Sequence, residues 1–272
     1  MNLPLMKCSE YNEKLIKYPC WAQFKLNGLS ARYIDGKFYS RDCKEFSKNI
    51  TDHMVKELTD GAITIPERLM LVGEFYHHGW PLERINSACS VIRQFATEDT
   101  FKIKFIPYDY WTDDHTLKGN FNFRVSVMMA NNIPNLLPTV PINNQKELDL
   151  YYEHSLSLGY EGLVIKLQDL DYIDGKSKYI FKRKKFMDAE FECINISGGN
   201  GRLHGTVGAL VCQTKEGRVF NVGSGLTDKV RAKFKLNPPI GKQIMVKFEG
   251  YSDEKQIPLK PIFMTVREDV IV

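Results

Sequence analysis

The chain has 272 residues, 43% of them hydrophobic and 26% charged, and a net charge of +4. That is enough for two ordinary domains with a real core, and no run approaches the roughly eighteen apolar residues of a membrane-spanning helix. The start, Met1-Asn2-Leu3-Pro4-Leu5-Met6-Lys7-Cys8, has neither a long apolar run nor a cleavage site, so the cytoplasm is the expected compartment. Cysteines at 8, 20, 43, 89, 193 and 212 form no CxxC pair and read as reduced structural residues rather than zinc ligands.

In chain order, Ala22 to Leu26 and Ser30 to Ile34 read as strands around a turn at Gly28. Asp35-Gly36 is a hairpin signal, with Lys37 to Ser40 as the returning strand. Over residues 47–58, Ile50, Met54 and Leu58 recur every four positions, which predicts one helix face. Leu69 to Tyr76 is predicted as a strand, Leu82 to Phe95 as a helix and Lys102 to Tyr110 as a strand. Helices follow over Phe123 to Asn131 and Gln145 to Leu158, then strands over Leu163 to Leu167 and Tyr179 to Lys184. After Phe186-Met187-Asp188 the sequence turns glycine-rich. Short strands are expected over Glu190 to Ile196, Gly208 to Thr214, Val219 to Val222, Gln243 to Tyr251 and Pro261 to Arg267. One helix interrupts them, capped by Thr227, with Asp228 in its first turn and Pro238-Pro239 as its stop. The pattern predicts an α+β domain with antiparallel sheets over residues 1–187, then a small all-β barrel of the OB type over 188–272.

The chemistry-bearing residues recur in order. Lys25 sits in Gln23-Phe24-Lys25-Leu26-Asn27-Gly28-Leu29-Ser30-Ala31-Arg32. A lysine nucleophile must lose its proton, and its ordinary pKa is about 10.4. Nearby cations or a bound metal would lower that value. Lys182 and Lys184, two apart on a strand, share one face and can supply the charge and hold phosphates. Glu74 lies in the apolar strand Leu71-Val72-Gly73-Glu74-Phe75-Tyr76, where an unpaired carboxylate is costly, so it should face a cation, a metal or a sugar hydroxyl. Glu161 precedes the strand Leu163-Val164-Ile165, and with Glu74 would suit magnesium. Tyr108 and Val164 could close the two faces of an adenine, with Gln23 at its edge. Lys176, Lys178, Lys182, Arg183, Lys184 and Lys185 form either a solvated basic face or a phosphate-binding stripe.

Taken in order, these segments resemble the motifs of the covalent nucleotidyltransferases: ATP-dependent polynucleotide ligases and mRNA capping enzymes. Lys17-Tyr18-Pro19-Cys20-Trp21-Ala22-Gln23-Phe24-Lys25-Leu26-Asn27-Gly28 is similar to the nucleophile motif. Asp35 to Asp42, with Ser40-Arg41, resembles the next, and Gly73-Glu74-Phe75-Tyr76-His77-His78-Gly79 the third. Asn237 to Lys242 and Pro261 to Asp269 resemble the OB domain, and the likeness to small phage-type ATP-dependent DNA ligases spans essentially the whole chain. The resemblance implies an ATP-grasp-like adenylation domain followed by an OB fold. It implies ATP and Mg2+ or another divalent cation as cofactors, nicked duplex DNA as partner, a monomer, and host cytoplasm if a phage encodes it. Lys25 would carry AMP. Arg41 and Glu74 would contact the sugar, Glu74 and Glu161 a metal, and Tyr108 the adenine. Lys182 and Lys184 would hold phosphates, and Arg267 with Asp269 would orient the pyrophosphate.

The sequence departs from the family pattern in four places. Asn27 stands where aspartate is usual and Ser30 where arginine is usual, with Arg32 two residues on as the substitute phosphate contact. Tyr108 replaces phenylalanine, and Val270 a basic residue. A DNA nick-sealing ligase is the leading reading. An RNA ligase or capping-type guanylyltransferase is the alternative, and a nucleic-acid-binding module with an inactive pocket is the alternative of another class. Residues 176–185 and the helix bearing Lys229, Arg231, Lys233 and Lys235 are expected to meet backbone phosphates.

Overall fold

The computed structural model describes residues 3–59, 65, 69–252 and 255–267. The chain divides into two compact units, Met1–Lys184 and Lys185–Val272. Among the described residues no helix is long and apolar enough to cross a membrane.

The first unit runs β1 (Met6–Glu10), β2 (Cys20–Lys25), β3 (Leu29–Ile34), β4 (Lys37–Ser40), α1 (Lys48–Thr59), β5 (Met70–Tyr76) and α2 (Leu82–Cys89). It continues with β6 (Lys104–Trp111), α3 (Phe121–Ala130), β7 (Val140–Ile142), α4 (Gln145–Ser157), β8 (Gly162–Leu167) and β9 (Gly175–Lys184). Two sheets result, in the orders β1-β9-β8-β2-β7 and β4-β3-β5-β6. All their ladders are antiparallel except β1 with β9. Asp35 and Gly36 both take positive φ, 48° and 78°, as the tight β3–β4 hairpin requires.

Strand alternation sorts the side chains. Cys20 and Ala22 of β2, with Leu163 and Ile165 of β8 and Phe181 of β9, pack with Leu148 of α4 on the outer face of the first sheet. In the second sheet Phe38, Phe75 and Phe105 meet edge-to-face and join Ile50, Met54 and Leu58 of α1. On its opposite face the second sheet buries a smaller apolar cluster of Leu3, Ile34, Met70 and Val72.

Three elements differ from the sequence expectation. β1 and β7 carry no clear signal because both are edge strands: β1 is largely polar, and β7 is the three residues Val140-Pro141-Ile142. The second helix ends at Cys89 instead of Phe95, with Ser90 extended at ψ 161°. Ile85, Ala88 and Cys89 complete its buried face, whereas Ile92 and Phe95 are 85% and 78% exposed and give a longer helix nothing to pack against.

The second unit holds β10 (Met187–Gly198), β11 (Val207–Gln213), β12 (Val219–Val222), α5 (Asp228–Leu236), β13 (Gln243–Phe248) and β14 (Ile262–Val266). Its sheet runs β12-β11-β10-β13-β14. The expected barrel is not closed by a full ladder. The segment after β12 meets β14 through one parallel bridge, Ser224 with Ile262, where the Phe263 amide donates to the Ser224 carbonyl at 2.8 Å. Gly225 makes that approach possible: its φ is +84°, and a Cβ there would lie 2.3 Å from the Phe263 carbonyl oxygen. Thr227 caps α5 by accepting from the Val230 amide. Arg231 corrects the phosphate-contact expectation for this helix. It is buried, and its guanidinium donates to the carbonyls of Val207, Gly208, Gly223 and Leu226. Lys229, Lys233 and Lys235 of the same helix are exposed.

Candidate active site

Lys25 ends β2, and the ladders set what lies beside it. Lys25 pairs with Gly162 and Gln23 with Val164; across the next ladder Gly162 pairs with Lys184 and Val164 with Lys182. Side chains alternate along strands, so Gln23, Lys25, Val164, Lys182 and Lys184 share one face. Gly162 keeps the middle of that row open. Its φ is +141°, and a Cβ would fall 2.1 Å from the Arg183 carbonyl oxygen. Lys182 binds Glu10 at 2.9 Å, while Arg183 turns to the other face and binds Asp149 at 2.6 Å.

Two carboxylates act on Lys25, Glu161 by direct contact and Glu74 through its charge. Glu161, just before β8, donates its amide to the Lys25 carbonyl at 3.2 Å and accepts from Lys25 Nζ at 2.5 Å. Glu74 comes from the second sheet, where it pairs with Ser30, and its Oε2 accepts from the Gly28 amide at 2.9 Å. This explains the glycine: a Cβ on residue 28 would lie 2.6 Å from the Phe75 carbonyl oxygen and 2.8 Å from Glu74 Oε2. Asn27 is exposed beside it.

Electrostatics correct one expectation. Burial favours neutral Lys25, but the Glu161 charge and hydrogen bond, aided by Glu74, outweigh it and raise the lysine pKa. Lys182 and Lys184 do not overcome these acids. Burial pushes the Glu74 carboxyl up to about 7, against the pull of Lys25 and the Gly28 amide, and Glu161 adds to the rise. Two carboxylates that repel each other, one with an oxygen lacking a partner among the described residues, are a donor set that suits a hard divalent cation. No group of three or more His, Cys, Asp or Glu side chains suited to a metal occurs among the described residues, so further ligands would have to come from phosphate and water.

The base-pocket candidates also converge. The Tyr108 carbonyl accepts from Gln23 Nε2 at 3.1 Å and from Lys166 Nζ at 3.0 Å. Lys166 is buried, lies over the Phe121 ring at 4.1 Å and reaches Asp109 Oδ2 at 3.3 Å. Arg124 grips the same carboxylate through Nε at 2.7 Å and Nη2 at 3.2 Å. Sequence reading missed this bolt between the sheets. Its signal was a lysine and an aspartate inside otherwise apolar strands, the same signal that marked Glu74.

Within the first unit, two predicted site residues are not brought to Lys25. Arg32 is a correction: it is fully buried, and its guanidinium donates to the carbonyls of Leu3, Ser40 and Arg41, so it is a structural clasp rather than a phosphate ligand. Arg41 is exposed after β4 and contacts none of Lys25, Glu74 or Glu161. Arg267 belongs to the second unit and binds Glu190 at 2.6 Å. Asp269 and Val270 lie outside the described residues. A cavity of about 360 Å³ beside Tyr110 and Tyr172 contains neither Lys25 nor the two glutamates.

Comparison with known proteins finds DNA ligases. Residues 198–267 match the DNA ligase OB-like domain family. A DNA ligase of Haemophilus influenzae is 23% identical over 270 residues, covering 97% of this chain and 91% of the relative. The DNA ligase of Enterobacteria phage T4 is 22% identical, covering 98% of this chain and 69% of its own. Among solved structures, a Lig E DNA ligase superposes with a TM-score of 0.79 at 22% identity, covering 98% of this chain and all of that one. The Chlorella virus DNA ligase-adenylate gives 0.53 at 25% identity, with 97% of each chain covered. The ATP complex of the bacteriophage T7 ATP-dependent DNA ligase gives 0.54 at 16%, covering 97% of this chain and 98% of that one. The chain is therefore similar to DNA ligases along almost its whole length, has the fold of the ATP-dependent enzymes, and matches the DNA ligase OB-like domain over residues 198–267.

Proposed function

We propose that this chain is an ATP-dependent DNA ligase that seals nicks between a 5′-phosphate and a 3′-hydroxyl in duplex DNA, acting as a monomer. The observation that carries the reading is Lys25, hydrogen-bonded to Glu161 on the sheet face that also carries Gln23, Val164, Lys182 and Lys184, in a chain similar to DNA ligases over almost its whole length.

Lys25 Nζ, as the free amine, attacks the α-phosphorus of ATP. The bond to the β-phosphate oxygen breaks, pyrophosphate leaves, and AMP stays on the lysine as a phosphoramidate. The nick 5′-phosphate then takes the adenylyl group, and Lys25 leaves as an amine that picks up a proton. The 3′-hydroxyl finally attacks the activated phosphate, loses its proton and displaces AMP. A divalent cation at Glu74 and Glu161 would neutralise phosphate charge. Glu161 is the group that must let go of Lys25. Once its carboxylate is engaged elsewhere, burial is the largest influence left on the amine, and it favours the neutral, nucleophilic form against the smaller pull of Glu74. Lys182 and Lys184, on the same sheet face, take the phosphates. Tyr108 and Val164 sandwich the adenine, and Arg41 and Arg267 are further nucleotide contacts.

Nick sealing tests the reading. The chain is incubated with Mg2+ and either ATP or GTP, then given a 5′-labelled nicked DNA duplex or its RNA counterpart. Sealed DNA with ATP is expected. Product only on RNA would favour an RNA ligase, labelling only by GTP a capping-type enzyme, and DNA binding without any covalent adduct an inactive binding module.

A further inference from the structure

We propose that Thr139 and Lys166 fix which end of the Gln23 amide faces the nucleotide base, and so set a preference for adenine over guanine. The inference rests on reading Gln23, Tyr108 and Val164 as the base pocket.

Gln23 is only 2% exposed. Its Nε2 donates to the Tyr108 carbonyl at 3.1 Å and to Thr139 Oγ1 at 2.9 Å. A carboxamide has a donor end and an acceptor end of nearly equal shape, so its neighbours must decide the orientation. Both neighbours here are acceptors. The Tyr108 oxygen can only accept, and its other lone pair is taken by Lys166 Nζ at 3.0 Å. The Thr139 hydroxyl spends its hydrogen on the Leu137 carbonyl at 3.3 Å and turns a lone pair to Gln23. A flipped amide would set oxygen against two acceptors. Lys166 cannot drift away, because Asp109 holds it and Arg124 holds Asp109.

Gln23 Oε1 is thereby left without a protein partner among the described residues, on the strand face that also carries Lys25 and Val164. A lone acceptor pairs with an exocyclic amine. Adenine offers one at its six-position. Guanine offers a carbonyl oxygen there, which would leave two acceptors facing each other in a dry site. Thr139 and Lys166 act only through Gln23 and the Tyr108 carbonyl and are positioning residues.

The test compares ATP with GTP in formation of the Lys25 adduct, followed by intact mass, and in affinity, followed by calorimetry. Thr139→Val keeps the shape and removes the hydroxyl. Its preference for ATP should fall at least about tenfold, mainly through KM, and Thr139→Ser should restore it. Lys166→Met leaves the Asp109–Arg124 pair intact and should shift the preference in the same direction. Thermal unfolding of each variant confirms that it is folded. A folded Thr139→Val and a folded Lys166→Met that both keep the parental preference would overturn the inference. If the parental chain forms no adduct with either nucleotide, the ligase reading fails, while the calorimetric ratios of parent and variants still decide the roles of Thr139 and Lys166.

Discussion

Lys25 and Lys166 lie on adjacent strands of one sheet, and each meets a carboxylate, yet they are opposites. Lys25 ends its strand, is 21% exposed at its side chain, and is raised in pKa by acids that outweigh burial. Lys166 is 1% exposed and lowered, because burial and the Arg124 charge outweigh Asp109. By pKa alone Lys166 would be chosen as the nucleophile. Its amine, however, is buried against the Tyr108 carbonyl and Asp109, out of reach of a substrate. Lys25 faces a carboxylate that a cation can draw off. A depressed lysine marks chemistry only when the amine can be reached.

The largest expected effect separates the two lysines directly. Lys25→Ala should cut adduct formation by on the order of 10^4-fold or more with little change in thermal stability. Lys166→Met should keep the chemical step within about tenfold, and equal losses in both would erase the distinction. The next effect concerns the acids. Asp109→Ala strands two buried cations and should cost about 3–5 kcal/mol in urea unfolding. Glu161→Ala, removing a partner from a part-exposed pair, should cost no more than about 1 kcal/mol.

Glu74 sharpens the contrast through pH. Its folded pKa of about 7 lies above the ordinary carboxylate value, so its contribution to stability is fully present below about pH 4.5 and is lost as the pH rises through 7. Glu74→Gln should therefore stabilise the chain at pH 8 by up to about 3 kcal/mol and change nothing near pH 4. Equal effects at both pH values would mean the carboxyl is not held neutral. Gly28→Ala, which sets a methyl against the Phe75 carbonyl and Glu74, should cost about 1–3 kcal/mol. The smallest effect is in the second unit. Lys229→Ala should lower the salt dependence of DNA binding by about one phosphate contact without touching stability, whereas Arg231→Ala should do the reverse.

Much of this was legible in the sequence where pattern and chemistry coincide. The Asp35-Gly36 hairpin, the helix face of Ile50, Met54 and Leu58, and the cap at Thr227 are local signals that local geometry satisfies. Glu74 was legible as a charge inside an apolar strand, and Lys25 and Glu161 by their places in an ordered set of charged segments; the fold sets Glu161 against Lys25 and Glu74 against the Gly28 amide. Arg32 and Arg231 were misread because sequence shows a charge but not its carbonyl partners, which lie across the fold. The Lys25 proton was misjudged for a related reason. The lysines nearby in pattern are outweighed by acids nearer in space. Thr139 had no signal, since its role depends on an amide belonging to another strand.

The most direct test is the intact mass of the chain after incubation with ATP and Mg2+. An increment of one adenylyl group, mapped to Lys25, absent from Lys25→Ala and discharged by nicked DNA, is the predicted result. An unchanged mass, or an adduct that persists in Lys25→Ala, would contradict it.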